Sequence, residues 1–492
     1  MSNARRAALL GGAAGLAAWA IARRRNSPDS VAPVHYTGRA ARNARVAGLG
    51  AKVGTSYAVH QARRAFASEP RRAELDLEHQ MRTAEQVAQT LGNMKGALMK
   101  VGQMLSYLDD GLPEPLREAL AQLQQDAPPM SAELAAGVIE RELGASPEAV
   151  FAEWDPVPIA AASIGQVHRA ITREGDAVAV KVQYPGVDQA IRADLDNAGM
   201  LFSGMKMMFP GMDTGPIVEE VRTRLVEELD YRLEARNQRF FAEAYAGHPF
   251  IHIPAVFDDY CSTRVFTSEL ADGVRFEEVE GWSQEERDLA AEAIYRFVIR
   301  SMWRLHTFNG DPHPGNYLFR PGGRVTFLDF GLVKYFSPEE VYPLQRLIET
   351  IVLDPDPAEF RRTLEDAGFL QRDSEMSDDE VVGFFQHFYH FVLDDRSGVL
   401  DETYASQTAR KLFQLDGAGN PGIQRSGNVP PAYVILQRIN LGLYAVLGQL
   451  RGKAPWRAIS DEIWPWVNEP PATELGREEA AWLAGEQART AD

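Results

Sequence analysis

The 492-residue chain has one cysteine, Cys261, which excludes an intramolecular disulfide framework and suits a reducing compartment. It reads as a half-buried thiol in a strand with no chemical role. No apolar run beyond residue 22 reaches the roughly 20 residues of a spanning helix. No repeat with a period of about 20–50 residues is present, which excludes solenoids. Positive charge is scarce where nucleic acid would need it. Residues 1–72 hold 13 Lys/Arg against 2 Asp/Glu, a net of +11, which leaves −29 for the rest of a chain that totals −18. So acidic a body does not match a phosphate backbone, and no nucleic-acid partner is expected.

The basic segment suits an anionic membrane surface instead. Within it, Ala7 to Ala22 is uncharged and is bracketed by Arg5-Arg6 and Arg23-Arg24-Arg25. As a helix this run would be about 24 Å long, short of the ~30 Å hydrocarbon core. A short anchor, a twin-arginine export signal and a surface-lying helix all remain open. Arginines on both sides favour a cytoplasmic protein held at a membrane by this segment.

What is present is a phosphoryl-transfer pattern. Asp311 and Asn316 lie in DPHPGN, and Asp329 opens an Asp-Phe-Gly triplet eighteen residues after Asp311. Such a site needs a carboxylate near the attacking hydroxyl, here Asp311. It also needs an amide oxygen and a second carboxylate, Asn316 and Asp329, to hold Mg2+ against ATP phosphates. DPHPGN reads as a tight loop and Val325–Leu328 as a strand delivering Asp329. Only five residues separate Gly331 from a helix start at Ser337. That interval is too short for the activation segment on which a protein kinase docks peptides.

Upstream, Ala160, Ala161, Ala162, Ser163 and Gly165 fill a GxGxxGxV pattern with alanine at its first two glycine positions, a stiffer turn over the phosphates. Sixteen residues after Gly165, Lys181 lies in VAVKV, where alternation separates Val178 and Val180 from Ala179 and Lys181. A lysine in so apolar a strand requires an anionic partner. A helix carrying Glu227, Glu228, Asp230 and Glu234 offers candidates. Glu269 and Leu270 sit where a strand enters a Gly-containing linker, the place for backbone groups to read adenine. Between Glu74 and Leu108 a helical stripe of Gly92, Gly96, Lys100, Gln103 and Tyr107 forms a face that a backbone or ligand can approach closely.

Six segments occur together and in order: Lys100-Val-Gly-Gln103, the AAAS run, VAVK, ELDYRLEARN (Glu228–Asn237), DPHPGN and LDFG. In these the chain resembles the UbiB/AarF family of atypical kinases over roughly residues 75–450. The resemblance implies an α+β, two-lobed, protein-kinase-like fold with an N-terminal helical extension and a helical C-terminal region. It implies that Glu234 pairs with Lys181, and that Lys100 and Gln103 fold over the cleft to meet Glu228 and Asp230. It further implies MgATP-dependent ATPase activity rather than phosphorylation of other proteins, with a prenyl lipid and quinone-biosynthesis proteins as partners. One departure stands out. Kinase-like loops carry an architectural His two residues before the catalytic Asp, and here Asn309 takes that place.

The expected division is a basic segment (1–72), a helical extension (73–150), an N-lobe (151–271), a C-lobe (272–468) and a polar tail (469–492). Two other functions fit the same residues: a nucleotide-binding pseudokinase scaffold and a small-molecule phosphotransferase.

Overall fold

The alternation in VAVKV builds the first lobe. The computed structural model describes residues 130–162, 164–188, 226–310, 312–393, 398–401, 403–404, 407–408 and 431–491. Lys100, Gln103, Ser163, Asp311 and the basic N-terminal segment lie outside them. Strand β1 (Glu153–Trp154) and strand β2 (Ala160–Ala162) both pair with β3 (Gly165–Ile171). β3 continues into β4 (Ala177–Gln183), which pairs with β6 (Val265–Glu269), and all these pairings are antiparallel.

Val178, Val180 and Val182 are buried against Ala135, Val138 and Ile139 of helix α1 (Ala132–Leu143). Each such side chain contributes about 1.5–3 kcal/mol. Ser131 caps α1, and Gly144 ends it in the left-handed region at φ 84°. Because side chains alternate, Lys181 faces the other side of the sheet. There helix α2 (Tyr231–Ala244) packs Tyr231 and Ala235 against Ile164 and Phe266.

The second lobe is organised by α3 (Gln284–Arg304), buried almost continuously from Ala290 to Val298. Against it lie β8 (Tyr317–Arg320) and β9 (Arg324–Phe327), an antiparallel hairpin, with β5 (Ile251–His252) parallel to β9. A second pair joins β7 (Thr307–Asn309) to β10 (Val333–Tyr335). Helices α4 (Pro338–Ile348), α5 (Pro357–Asp366), α6 (Asp378–Phe385), α7 (Pro431–Leu450) and α8 (Trp456–Ile463) complete the lobe. Among the described residues no helix is long and apolar enough to cross a membrane.

Several boundaries differ from the sequence reading. α1, assigned to the extension, shares a core with β4 and belongs to the first lobe. β5, assigned to the N-lobe, is a strand of the second lobe's sheet. The polar tail is in fact helix α9 (Glu474–Ala491), docked on the second lobe. Its Glu479 is buried against Arg296 (2.9 Å), Arg300 (3.5 Å) and His248 (3.4 Å). Arg296, fully buried, also meets Glu292 and Glu462, each at 2.7 Å. A buried guanidinium needs such partners, and one of them lies 183 residues away in the chain. Cys261 follows a short 3₁₀ turn rather than sitting in a strand, and burial pushes its thiol up to about 11, which keeps it inert. The aromatic residues Phe384 and Phe385 are core, and His387 bonds Thr408 (3.1 Å).

Candidate active site

Lys181 Nζ donates to both carboxylate oxygens of Glu234, at 2.8 and 2.9 Å, and approaches Asp329 Oδ2 at 3.4 Å. The three residues come from β4, α2 and the turn after β9, so this contact joins the two lobes. α2 is placed by its cap: Asp230 accepts from Arg232 N and is ion-paired with the Arg232 guanidinium at 2.8 Å. One turn beyond Glu234, on the same face, Asn237 Nδ2 donates to the Phe330 carbonyl at 2.9 Å. Phe330 is fully buried with its ring 4.9 Å from that of Phe241. Helix and triplet are therefore tied by both a hydrogen bond and a ring contact.

The triplet is braced from the other side as well. Asn309 Nδ2 donates to the Asp329 carbonyl at 2.8 Å, and Gly310 N donates to the Leu332 carbonyl at 2.6 Å. Asn309 thus supplies the architectural link for which a histidine was expected. Gly331 N donates to Asp329 Oδ1 at 2.9 Å and fixes the carboxylate rotamer. After Pro312 the loop turns tightly: His313 accepts from Gly315 N, and residues Pro314–Asn316 form one 3₁₀ turn. The Asn316 carbonyl accepts from Leu328 N at 2.9 Å. Asn316 and Asp329 therefore emerge from the same end of the β8–β9 hairpin, one before β8 and one after β9.

Three sequence expectations change. Ala160, Ala161 and Ala162 form strand β2, not the turn. Ala162 pairs with Gly165, which places both residues on the strands of the hairpin. Gly165 is required for packing, since a Cβ there would collide with the Val182 carbonyl and lie 3.0 Å from the Tyr231 hydroxyl. Glu227, Glu228 and Asp230 are not on one helix with Glu234. The chain breaks at Asp230, whose short carboxylate caps α2 rather than continuing the preceding turn. The N–H groups of Glu269 and Leu270 are already bonded, to the Ala255 and Ala177 carbonyls at 2.8 and 3.0 Å. These two N–H groups are committed within the protein, which leaves the segment's carbonyls as the backbone groups in question. The Glu269 side chain instead joins the lobes through His252 Nε2 at 3.1 Å. Asn237 and Tyr231 lie inside the ELDYRLEARN segment but were given no role of their own in the sequence, although Asn237, one turn after Glu234, carried a usable signal.

The cleft is lined by Ile164, Lys181, Glu227, Glu228, Asp230, Tyr231, Glu234, Asp329, Gly331 and Leu332. Burial by itself would lower the Lys181 pKa, but the charges of Asp329 and Glu234 outweigh it and lift the ammonium well above its ordinary value. Burial pushes the Glu234 carboxyl up to about 7; Lys181 opposes the shift, and the Asp329 and Glu228 charges add to it. The Lys181 shift expresses the excess of carboxylates over cations in the cleft, whereas the Glu234 shift expresses its burial first and those neighbouring charges second. Among the described residues no three His, Cys, Asp or Glu side chains form a metal cage. Asp329 lines this acid-rich cleft and Asn316 lies at the same end of the β8–β9 hairpin; an amide and a carboxylate oxygen of this kind fit Mg2+, which keeps waters and takes its remaining oxygens from phosphates.

An antiparallel sheet with a lysine–glutamate pair, set over a helical lobe with a braced Asp-Phe-Gly turn, defines a protein-kinase-like fold. Residues 122–361 match the ABC1 atypical kinase-like domain. The chain is 36% identical to "Atypical kinase COQ8B, mitochondrial" of Rattus norvegicus over 52% of its own length and 49% of that protein's. Against "Atypical kinase COQ8, mitochondrial" of Saccharomyces cerevisiae it is 31% identical, covering 54% and 53%. It therefore spans about half the length of these curated relatives. A solved structure, the Rv3197–erythromycin complex from Mycobacterium tuberculosis, is 33% identical with a TM-score of 0.57, covering 81% of this chain and all of that one. The chain belongs to the UbiB family of ABC1 atypical kinase-like proteins.

Proposed function

We propose that the chain binds MgATP and hydrolyses it, in support of isoprenoid-quinone or other prenyl-lipid metabolism at a membrane. The observation that carries the nucleotide part is the contact of Lys181 with both Glu234 and Asp329. In this reading Lys181 orients the α- and β-phosphates, Asn316 and Asp329 hold Mg2+, and Asp311 orients the attacking water. The bound metal would neutralise phosphate charge. The chain's own residues supply position and a preorganised field, which together account for most of the rate enhancement in phosphoryl transfer. Lys100 and Gln103 would close over the cleft toward Glu228 and Asp230. The quinone link rests on the relatives' names, and the membrane link on the basic segment of residues 1–72.

The erythromycin complex of the solved relative favours one variation, in which an organic molecule other than the nucleotide is the phosphoryl acceptor or effector. Release of phosphate from MgATP, with and without anionic liposomes, tests the main reading. Asp329→Asn should abolish turnover and leave the fold intact. Undiminished hydrolysis by that variant removes Asp329 from the mechanism, and phosphate appearing on a lipid-derived alcohol favours the phosphotransferase.

A further inference from the structure

Tyr231 is the first residue of α2, and its side chain is 2% exposed. Its ring flanks Lys181, with Nζ 5.1 Å from the centroid, and its hydroxyl reaches toward Gly165 at the start of β3. The hydroxyl is buried and makes no hydrogen bond. A buried hydroxyl without a partner is destabilising, so its retention in a cleft needs a reason.

The lining of the cleft supplies one. Among the described lining residues only Lys181 and Tyr231 have donor side chains; the other polar ones are carboxylates. The Lys181 ammonium is already directed at Glu234 and Asp329. A ligand rich in anionic oxygens, entering beneath the β2–β3 turn, would therefore find one uncommitted side-chain donor there. We infer that the Tyr231 hydroxyl is a binding group for the polyphosphate of the nucleotide, donating to a phosphate oxygen beside Gly165. This assignment rests on the nucleotide reading above and adds to it a phosphate-sensing residue that the nucleotide motifs do not include.

Tyr231→Phe removes the donor while keeping the ring against Lys181 and the packing on Ile164. Calorimetric titration of the full chain with MgATP and with adenosine should show MgATP binding at least tenfold more weakly in the variant, as for loss of one hydrogen bond to a charged group. Adenosine affinity should stay within about twofold, and the unfolding midpoint without nucleotide should be equal or higher. Unchanged MgATP affinity overturns the assignment. An equal loss for MgATP and adenosine also overturns it, because the role would then be structural. Failure of the unmutated chain to bind MgATP at all defeats the nucleotide reading itself, a result separable from the first two.

Discussion

Replacing Lys181 by Met tests the electrostatics of the cleft most sharply. Among the described lining residues Lys181 carries the one ammonium, held 2.8 Å from a Glu234 carboxylate that is 5% exposed. Methionine preserves the length and apolar stem but leaves Glu234 facing Asp329 and Glu228 without compensation. Breaking a buried pair in this way costs about 3–5 kcal/mol. The cost should depend on pH. Glu234 already titrates near 7 with the lysine in place, and loss of the opposing charge moves it higher. A carboxyl whose folded pKa is raised above its unfolded value adds stability at low pH, and that stability is lost as pH rises through the folded pKa. The lysine's own shift is also upward, so its contribution is fully present below about pH 10 and does not confuse this window. Urea unfolding followed by tryptophan fluorescence at pH 6 and 8.5 should therefore show the larger deficit at 8.5. The pH dependence is bounded by about 1.4 kcal/mol per pH unit for one proton. An equal deficit at both values, or none at 8.5, would refute the reasoning.

Glu479→Ala should destabilise the chain by about 3 kcal/mol or more, because fully buried Arg296 loses a partner; a loss under about 0.5 kcal/mol would show that α9 is not clamped to the lobe. The Glu479 carboxyl is held down near 2, so its contribution is present above about pH 4.5 and is lost as pH falls toward 2. Acid unfolding of the variant should accordingly be shallower than that of the unmutated chain. Gly165→Ala should force β3 and β4 apart and abolish nucleotide binding, checked by titration with MgATP, and retained affinity would mean that the hairpin yields more easily than the packing indicates.

Features set by local periodicity were legible. VAVKV gave away the inward valines and the opposed lysine because strand alternation needs no tertiary knowledge. The Asp-Phe-Gly spacing pointed to the turn after β9 for the same reason. Features set by distant partners were not legible. The acidic stretch before α2 looks like one helix until Asp230 is seen to cap it. The alanine run matches a loop pattern, yet its pairing with Gly165 makes it a strand. Asn309 looked like a missing histidine, and only its contact with the Asp329 carbonyl reveals what it does instead. Residues 474–491 read as a tail because nothing local marks Glu479 as the partner of an arginine 183 positions earlier.

The central claim is that Asn316 and Asp329 converge on one divalent cation beside a triphosphate. A crystal structure of the full chain with Mn2+ and a non-hydrolysable ATP analogue, with the metal located by anomalous scattering, tests this directly. The account predicts a manganese peak in coordination contact with both side chains and with phosphate oxygens, while Lys181 remains in reach of Glu234. A nucleotide seated in the cleft with manganese bound elsewhere, or with Asn316 turned away from it, contradicts the account.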